Sequence, residues 1–159
     1  MNPQAPQPPT REEIERWHRY FAVDCNNSAW TLVEVANRTP EQSADLLRRA
    51  YAAAHHWFQV GNEVNKNRAE SLLGQVHAML GHGELAMHYA KRNHEFVLGR
   101  ESDAWEVAFA HAILAHAAAV SGQTRLHQEA YAKALAVGGG LDAGDREVFE
   151  ATFSQVPKP

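Results

Sequence analysis

A chain of 159 residues with 45% hydrophobic and 21% charged side chains has the size of one globular domain, which buries roughly 70% of its unfolded surface. The net charge of −4, with Lys and Arg scattered in pairs no longer than Arg48–Arg49 and Lys91–Arg92, excludes the basic stripe of a nucleic-acid binder. No apolar run approaches the ~20 residues that span a bilayer, and the single Cys25 cannot close an intrachain disulfide.

Much of the hydrophobic fraction is alanine, which favours closely packed helices. Residues 1–9 form a Pro-rich stretch expected to be an extended or disordered tail, without the basic and apolar segments of a signal peptide. A cytoplasmic protein with one domain over residues 10–156 is the expectation. Thr10 and Glu13 read as a capping box. Ile14, Trp17, Phe21, Cys25, Ala29, Leu32 and Ala36 then recur at helical steps, predicting a first helix from about 10 to 37. Asp24 to Ser28 has poor helix propensity, so a kink there is an open alternative.

Thr39-Pro40 restarts the helix, with Thr as cap and Pro in the first turn. Ala44, Leu47, Ala50/Tyr51, Ala54 and Trp57/Phe58 make its apolar stripe, closed by Gly61-Asn62. A third helix carries Ala69, Leu72/Leu73, Val76 and Met79/Leu80 and ends at Gly81-His82-Gly83. The fourth holds Leu85, Ala86, Tyr89, Ala90 and Phe96/Val97, ending near Leu98-Gly99. Ser102 or Asp103 caps a fifth, running through Trp105 and His116 to Ser121-Gly122. A sixth is stopped by Gly138-Gly139-Gly140, and the last spans about Asp142 to Gln155. Seven helices and no strand are predicted.

Turns at Thr39, Gly81 and Gly122 lie 42 and 41 residues apart, and Tyr51, Tyr89 and Tyr131 follow them in the second helix of each pair. A fixed period of this size marks stacked helical hairpins. Leu73-Gly74, Gly81 and Ala86, repeated in part by Leu114-Ala115, Gly122, Tyr131 and Ala134-Leu135, resemble the tetratricopeptide repeat (TPR) family. The resemblance implies a short α-solenoid of three TPR-like hairpins with a C-terminal capping helix. His56-Trp57, Gly61, Arg68, Leu80-Gly81, Ala86 and Asp145-Arg146 also resemble a bacterial family of unassigned function, which implies the same fold and no known activity.

Ten histidines are the most conspicuous chemical feature, and they add positive charge as pH falls through about 6.5. Ligand pairs on a helix stand three or four residues apart, whereas the steps from His77 to His127 are 5, 6, 6, 17, 5 and 11. Glu15-x-x-His18 is half of a di-iron motif without a second copy. No metal site and no cofactor are expected. His56, beside Trp57 on the apolar stripe, reads either as a polar anchor between hairpins or as part of a ligand site. Cys25 in an apolar stripe reads as a small hydrophobe, and neither Ser71 nor Ser121 has a nucleophile motif, so no catalytic residue is assigned.

In the TPR family the first helix of each hairpin lines a concave face that binds a peptide or partner helix. Carried over, that face holds Asn26, Ala29, Val33 and Asn37 from the first hairpin. The second supplies Arg68, Ser71, Gln75 and Met79, and the third Phe109, Ala112, His116 and Val120. Arg68 can pair bidentately with a carboxylate; the competing reading is that several of these residues are simply packed under the first helix. The expectation is a non-enzymatic interaction module that binds a protein or peptide segment or self-associates into a homodimer, with Trp30 and Trp105 as interface residues, and with no nucleic-acid or membrane partner. The alternative is an enzyme binding a small ligand or metal, with His56, Arg68, His77 and His111 around an interhelical pocket.

Overall fold

The computed structural model describes residues 7–159 and contains seven α-helices among them. They are α1 (Arg11–Val33), α2 (Pro40–Val60), α3 (Glu63–Met79), α4 (Gly83–Leu98), α5 (Ala104–Val120), α6 (Thr124–Gly139) and α7 (Ala143–Phe153). No strand occurs among the described residues, so the all-α class expected from sequence is observed. Residues 1–6 of the expected Pro-rich tail lie outside the described residues, and residues 7–9 are exposed without helix. Among the described residues no helix is long and apolar enough to cross a membrane.

Side chains that satisfy orphan backbone groups set the helix starts. Thr10, Thr39 and Asn62 each accept from the backbone N–H three residues on, and Glu13, Gln42 and Asn65 return the bond. α1 runs unbroken through residues 24–28, because the Ser28 hydroxyl bonds the Asp24 carbonyl at 2.7 Å and Thr31 bonds Asn27 at 3.2 Å instead of competing for the chain. The helix stops at Val33 rather than near 37. Arg38 Nη1 donates to the carbonyls of Leu32, Val33 and Val35 at 3.1, 3.1 and 2.8 Å, closing the C-terminus four residues early.

The turns after α3 and α5 are the same device. Gly81 (φ 74°) and Gly122 (φ 70°) adopt left-handed conformations that an L side chain disfavours. His82 N–H then reaches the His77 carbonyl at 2.9 Å, and Gln123 N–H reaches Ala118 at 2.9 Å, completing two Schellman caps. The two turns abut through Ser121 Oγ, which donates to the Gly83 carbonyl at 2.8 Å. The triple glycine works differently from a simple stop. α6 continues to Gly139, and a Cβ on Gly138 would land inside the Phe149 ring, so that glycine lets α7 lie close against α6.

Packing is most extensive within the pairs α1/α2, α3/α4 and α5/α6, followed by α4 on α5 and α2 on α3. α3 also meets α5, and α7 rests on α5 and α6. One core layer joins Val33, Leu46, Leu72 and Val76 from the first three helices; the other joins Ala112, Ile113, Ala130, Phe149 and Phe153. α5 is central and buried from Ala110 through Ala118. In α2, Ala50 and Ala54 of the expected stripe are buried and Leu47 and Trp57 pack beside them, but Ala44, Tyr51 and Phe58 are exposed and Leu46 is buried instead. In α1, Ile14, Trp17 and Phe21 are solvent-exposed, and fully buried positions start only at Ala22, although His18 already meets α2 through His56.

Candidate functional site

A cavity of about 280 Å³ opens between α1, α3, α4, α5 and α7. Asn67, Asn93 and Glu106 form its polar part, each less than a tenth exposed. Trp30, Trp105 and Phe109 form an aromatic wall, with both indoles edge-on to Phe109 at 6.1 and 6.2 Å. Asn26, Arg68, Ser71, Val97, Val148 and Thr152 complete the cavity with Glu34 at its edge.

The polar part is held by charge and amide pairing. Arg68 Nε donates to Glu106 Oε1 at 3.1 Å, and Arg100 Nη2 donates to Oε2 at 2.7 Å, so one buried carboxylate anchors two cations from different segments. Buried charge is tolerated only with such partners. The Arg68 guanidinium also lies 5.0 Å over the Trp105 ring, a cation–π contact that flattens it along the cavity wall. Asn93 Nδ2 donates to Asn67 Oδ1 at 2.8 Å, yet Asn93 Oδ1 is buried without a partner. An unmet buried acceptor of this kind costs about 1–3 kcal/mol and is relieved by any donor brought into the cavity. Ser71 and Thr152 supply hydroxyls, but no histidine or cysteine lines the cavity to activate them.

Of the expected concave face, Asn26, Arg68, Ser71 and Phe109 do line this cavity. The remainder do not. Val33 and Gln75 are fully buried, His116 is nearly so, and Met79 packs against the first core layer. Asn37 is exposed in the turn that follows α1. The physical reason is the cover over the deeper end: Gln155 Nε2 donates to the Val33 carbonyl at 2.8 Å, tying the segment after α7 to the end of α1. Trp30 and Trp105, expected at an interface between copies, face each other across Phe109 inside the cavity instead.

The alternative grouping of His56, Arg68, His77 and His111 is not brought together. His56 meets His18, with Nδ1 atoms 2.8 Å apart. His77 meets Tyr51 Oη at 2.9 Å and His82 Nδ1 at 3.0 Å. His111 meets His94 at 3.1 Å, and Arg68 meets Glu106. Each sits on a different helix contact, so no shared pocket exists for a reaction centre. Glu15 of the half-motif pairs with Arg11 at 2.8 Å rather than joining His18.

Sequence reasoning placed Trp30 and Trp105 only at an interface between copies, and it assigned the buried polar residues Asn67, Asn93 and Glu106 to no site. Glu106 sits in the first turn of α5, where an acid looks like an ordinary partner of the helix dipole.

Five of the ten histidines resist protonation. Burial lowers the pKa of His56, His77 and His94, with neighbouring charges of His18 and His55 adding to it at His56, His82 at His77 and Lys133 at His94. Burial pushes His111 and His116 down to about 4, helped by His94 and Lys133 at the first and by His127 at the second. The charge rise expected near pH 6.5 is therefore deferred for these five, because the folded interior refuses the proton. His18, His55 and His56 form a three-imidazole group, gathered from α1 and α2 with one ring nitrogen of each within 4.8 Å of the others. Spacing along single helices had given no hint of it. No family model, curated protein or solved structure matches this chain.

Proposed function

We propose that the chain is a non-enzymatic interaction module whose α1/α3/α4/α5/α7 cavity receives a side chain and adjoining backbone of a peptide or partner segment. The observation that carries this reading is the unpartnered Asn93 Oδ1 beneath the Trp30/Phe109/Trp105 wall. A peptide offers both things that arrangement lacks, an N–H donor and apolar surface to cover the rings. Arg68 is half exposed and keeps guanidinium donors free of Glu106 for a carboxylate on the incoming chain. The resemblance to TPR-like hairpins supports the same reading, as does the absence of histidine from the cavity lining. A cytoplasmic setting belongs to the proposal and is supported by the single unpaired Cys25.

Self-association is the second reading, and the exposed cluster Ile14, Trp17, Tyr20 and Phe21 on α1 favours it over a dimer built on Trp30 and Trp105. The test of the main reading is selection from a displayed peptide library, followed by titration of the selected peptides against indole fluorescence. Ser71→Trp fills the cavity from a half-buried wall position and should weaken binding by at least about tenfold while the melting temperature stays near wild type. Selected peptides that bind Ser71→Trp as well as wild type, or a selection that enriches nothing, would sink the cavity as the binding site.

A further inference from the structure

α1 and α2 run antiparallel, and their crossing places His18 against His55 and His56 one turn before the end of α2. The His18 ring lies 6.0 Å from that of His55 and 5.0 Å from that of His56, and the two Nδ1 atoms of His18 and His56 face each other at 2.8 Å. One ring nitrogen of each histidine lies within 4.8 Å of the other two. It is the one group of three or more ligand-type side chains so gathered among the described residues.

We propose that His18, His55 and His56 form a binding site for a divalent transition-metal ion of the zinc class at the α1/α2 crossing. Three neutral imidazoles are the donor set of an open zinc site, with the remaining position left to water or an incoming ligand. Metal–nitrogen bonds of about 2.0–2.1 Å in a tetrahedral shell hold the nitrogens about 3.3–3.4 Å apart. The His18–His56 pair therefore opens by about half an ångström, and the third nitrogen closes in by a side-chain rotation. His55 is exposed and free to make it. His18 and His56 are half-buried and already aimed at each other, so most of the ordering is built into the fold. The C-terminal end of α2 carries no basic side chain in its last turn, which leaves the negative end of its dipole facing the ion's side. Nitrogen donors of this kind select copper, nickel and zinc over magnesium and calcium. The site is separate from the α1/α3/α4/α5/α7 cavity and does not depend on what that cavity binds.

The test uses the untagged full chain, stripped with a chelator and titrated calorimetrically with zinc chloride at neutral pH. One ion per chain at micromolar zinc is the expected result, with no heat from magnesium or calcium. His55→Ala changes an exposed side chain, so folding is preserved, and it should weaken zinc at least about tenfold, as should His18→Ala. His82→Ala, in the separate His77/His82 pair, should leave affinity unchanged. A copper titration gives an independent readout. Trp17 stacks on Phe21 at 6.0 Å, whose ring lies 5.6 Å from His56, so bound copper should quench Trp17 and the quench should vanish in His55→Ala. Absence of saturable one-to-one binding at micromolar zinc overturns the proposal. So does an affinity that falls in His82→Ala but not in His55→Ala and His18→Ala.

Discussion

α1 and α5 differ in patterning and meet opposite fates: α1 sets a narrow apolar face among charged residues, whereas α5 is apolar almost all round. α5 buries nine consecutive residues, Ala110 to Ala118, including His111 and His116, whereas α1 leaves Trp17 and Tyr20 more than half exposed. Polar rings are inside and large apolar rings outside, against simple transfer preference. Position in the stack explains the inversion. α5 is flanked by α3, α4, α6 and α7, so every face is covered, while α1 packs mainly on α2 and reaches α3 only over its C-terminal part. Composition and neighbours act together: the all-round apolar α5 fills the centre of the stack, and the charged, one-sided α1 lies at its edge.

The largest effect should come from acid, and it tests the buried side of the comparison. His111 and His116 have folded pKa values of about 4 against about 6.5 in an unfolded chain. Between those values the unfolded chain binds protons that the folded one refuses, so stability is full above pH 6.5, falls as the pH drops towards 4, and levels off below it. Each residue contributes at most about 3 kcal/mol to that loss. His56, His77 and His94 shift in the same direction and add to it. Denaturant melts at pH 7.5, 6, 5 and 4 should show the decline, and a His111→Gln/His116→Gln double variant should show a shallower one. A melt that is flat from pH 7 to 4.5 would mean these rings are hydrated and α5 is not the enclosed helix described here.

Ile113→Ala sharpens the same point without ionisation. Ile113 is fully buried, and its Cγ2 lies where a Cβ on Gly74 would come within 3.1 Å of it, so the cavity left behind has backbone on one side and cannot collapse readily. The expected cost is about 2–5 kcal/mol, or about 4–20 °C in melting temperature for a chain of this size. Calorimetry checks it, and a shift under ~2 °C would show the α3/α4/α5 junction to be loosely packed.

The elements were largely legible because caps and turns act locally. Thr10 with Glu13, Thr39 with Pro40, and the glycines at 81 and 122 each announce a boundary within a few residues, and each does so in the structure. The α1 end at Val33 was not legible, since the Arg38 side chain that closes it looks like any surface cation. The cavity was half legible. Arg68, Ser71 and Phe109 follow from hairpin register, but Glu106 and Asn93 owe their burial to neighbours far along the chain. The three imidazoles were illegible for the same reason: 38 residues separate His18 from the residue it faces, and periodicity within one helix cannot report a contact between two.

The smallest effect belongs to the exposed end of α1. Trp17→Ser and Tyr20→Ser remove large apolar rings that are 52% and 57% exposed, so little transfer free energy is at stake. At low protein concentration each should change stability by less than about 0.5 kcal/mol, far below the effect of removing part of Ile113. The comparison becomes sharper when concentration is varied. If the cluster pairs two copies, the wild type should gain melting temperature with concentration and the serine variants should not, because association stabilises by mass action. Melts at two concentrations, with sedimentation to read the mass, separate the cases. A serine variant that loses more than ~1.5 kcal/mol at low concentration would place those rings in the monomer's own core and erase the contrast between α1 and α5.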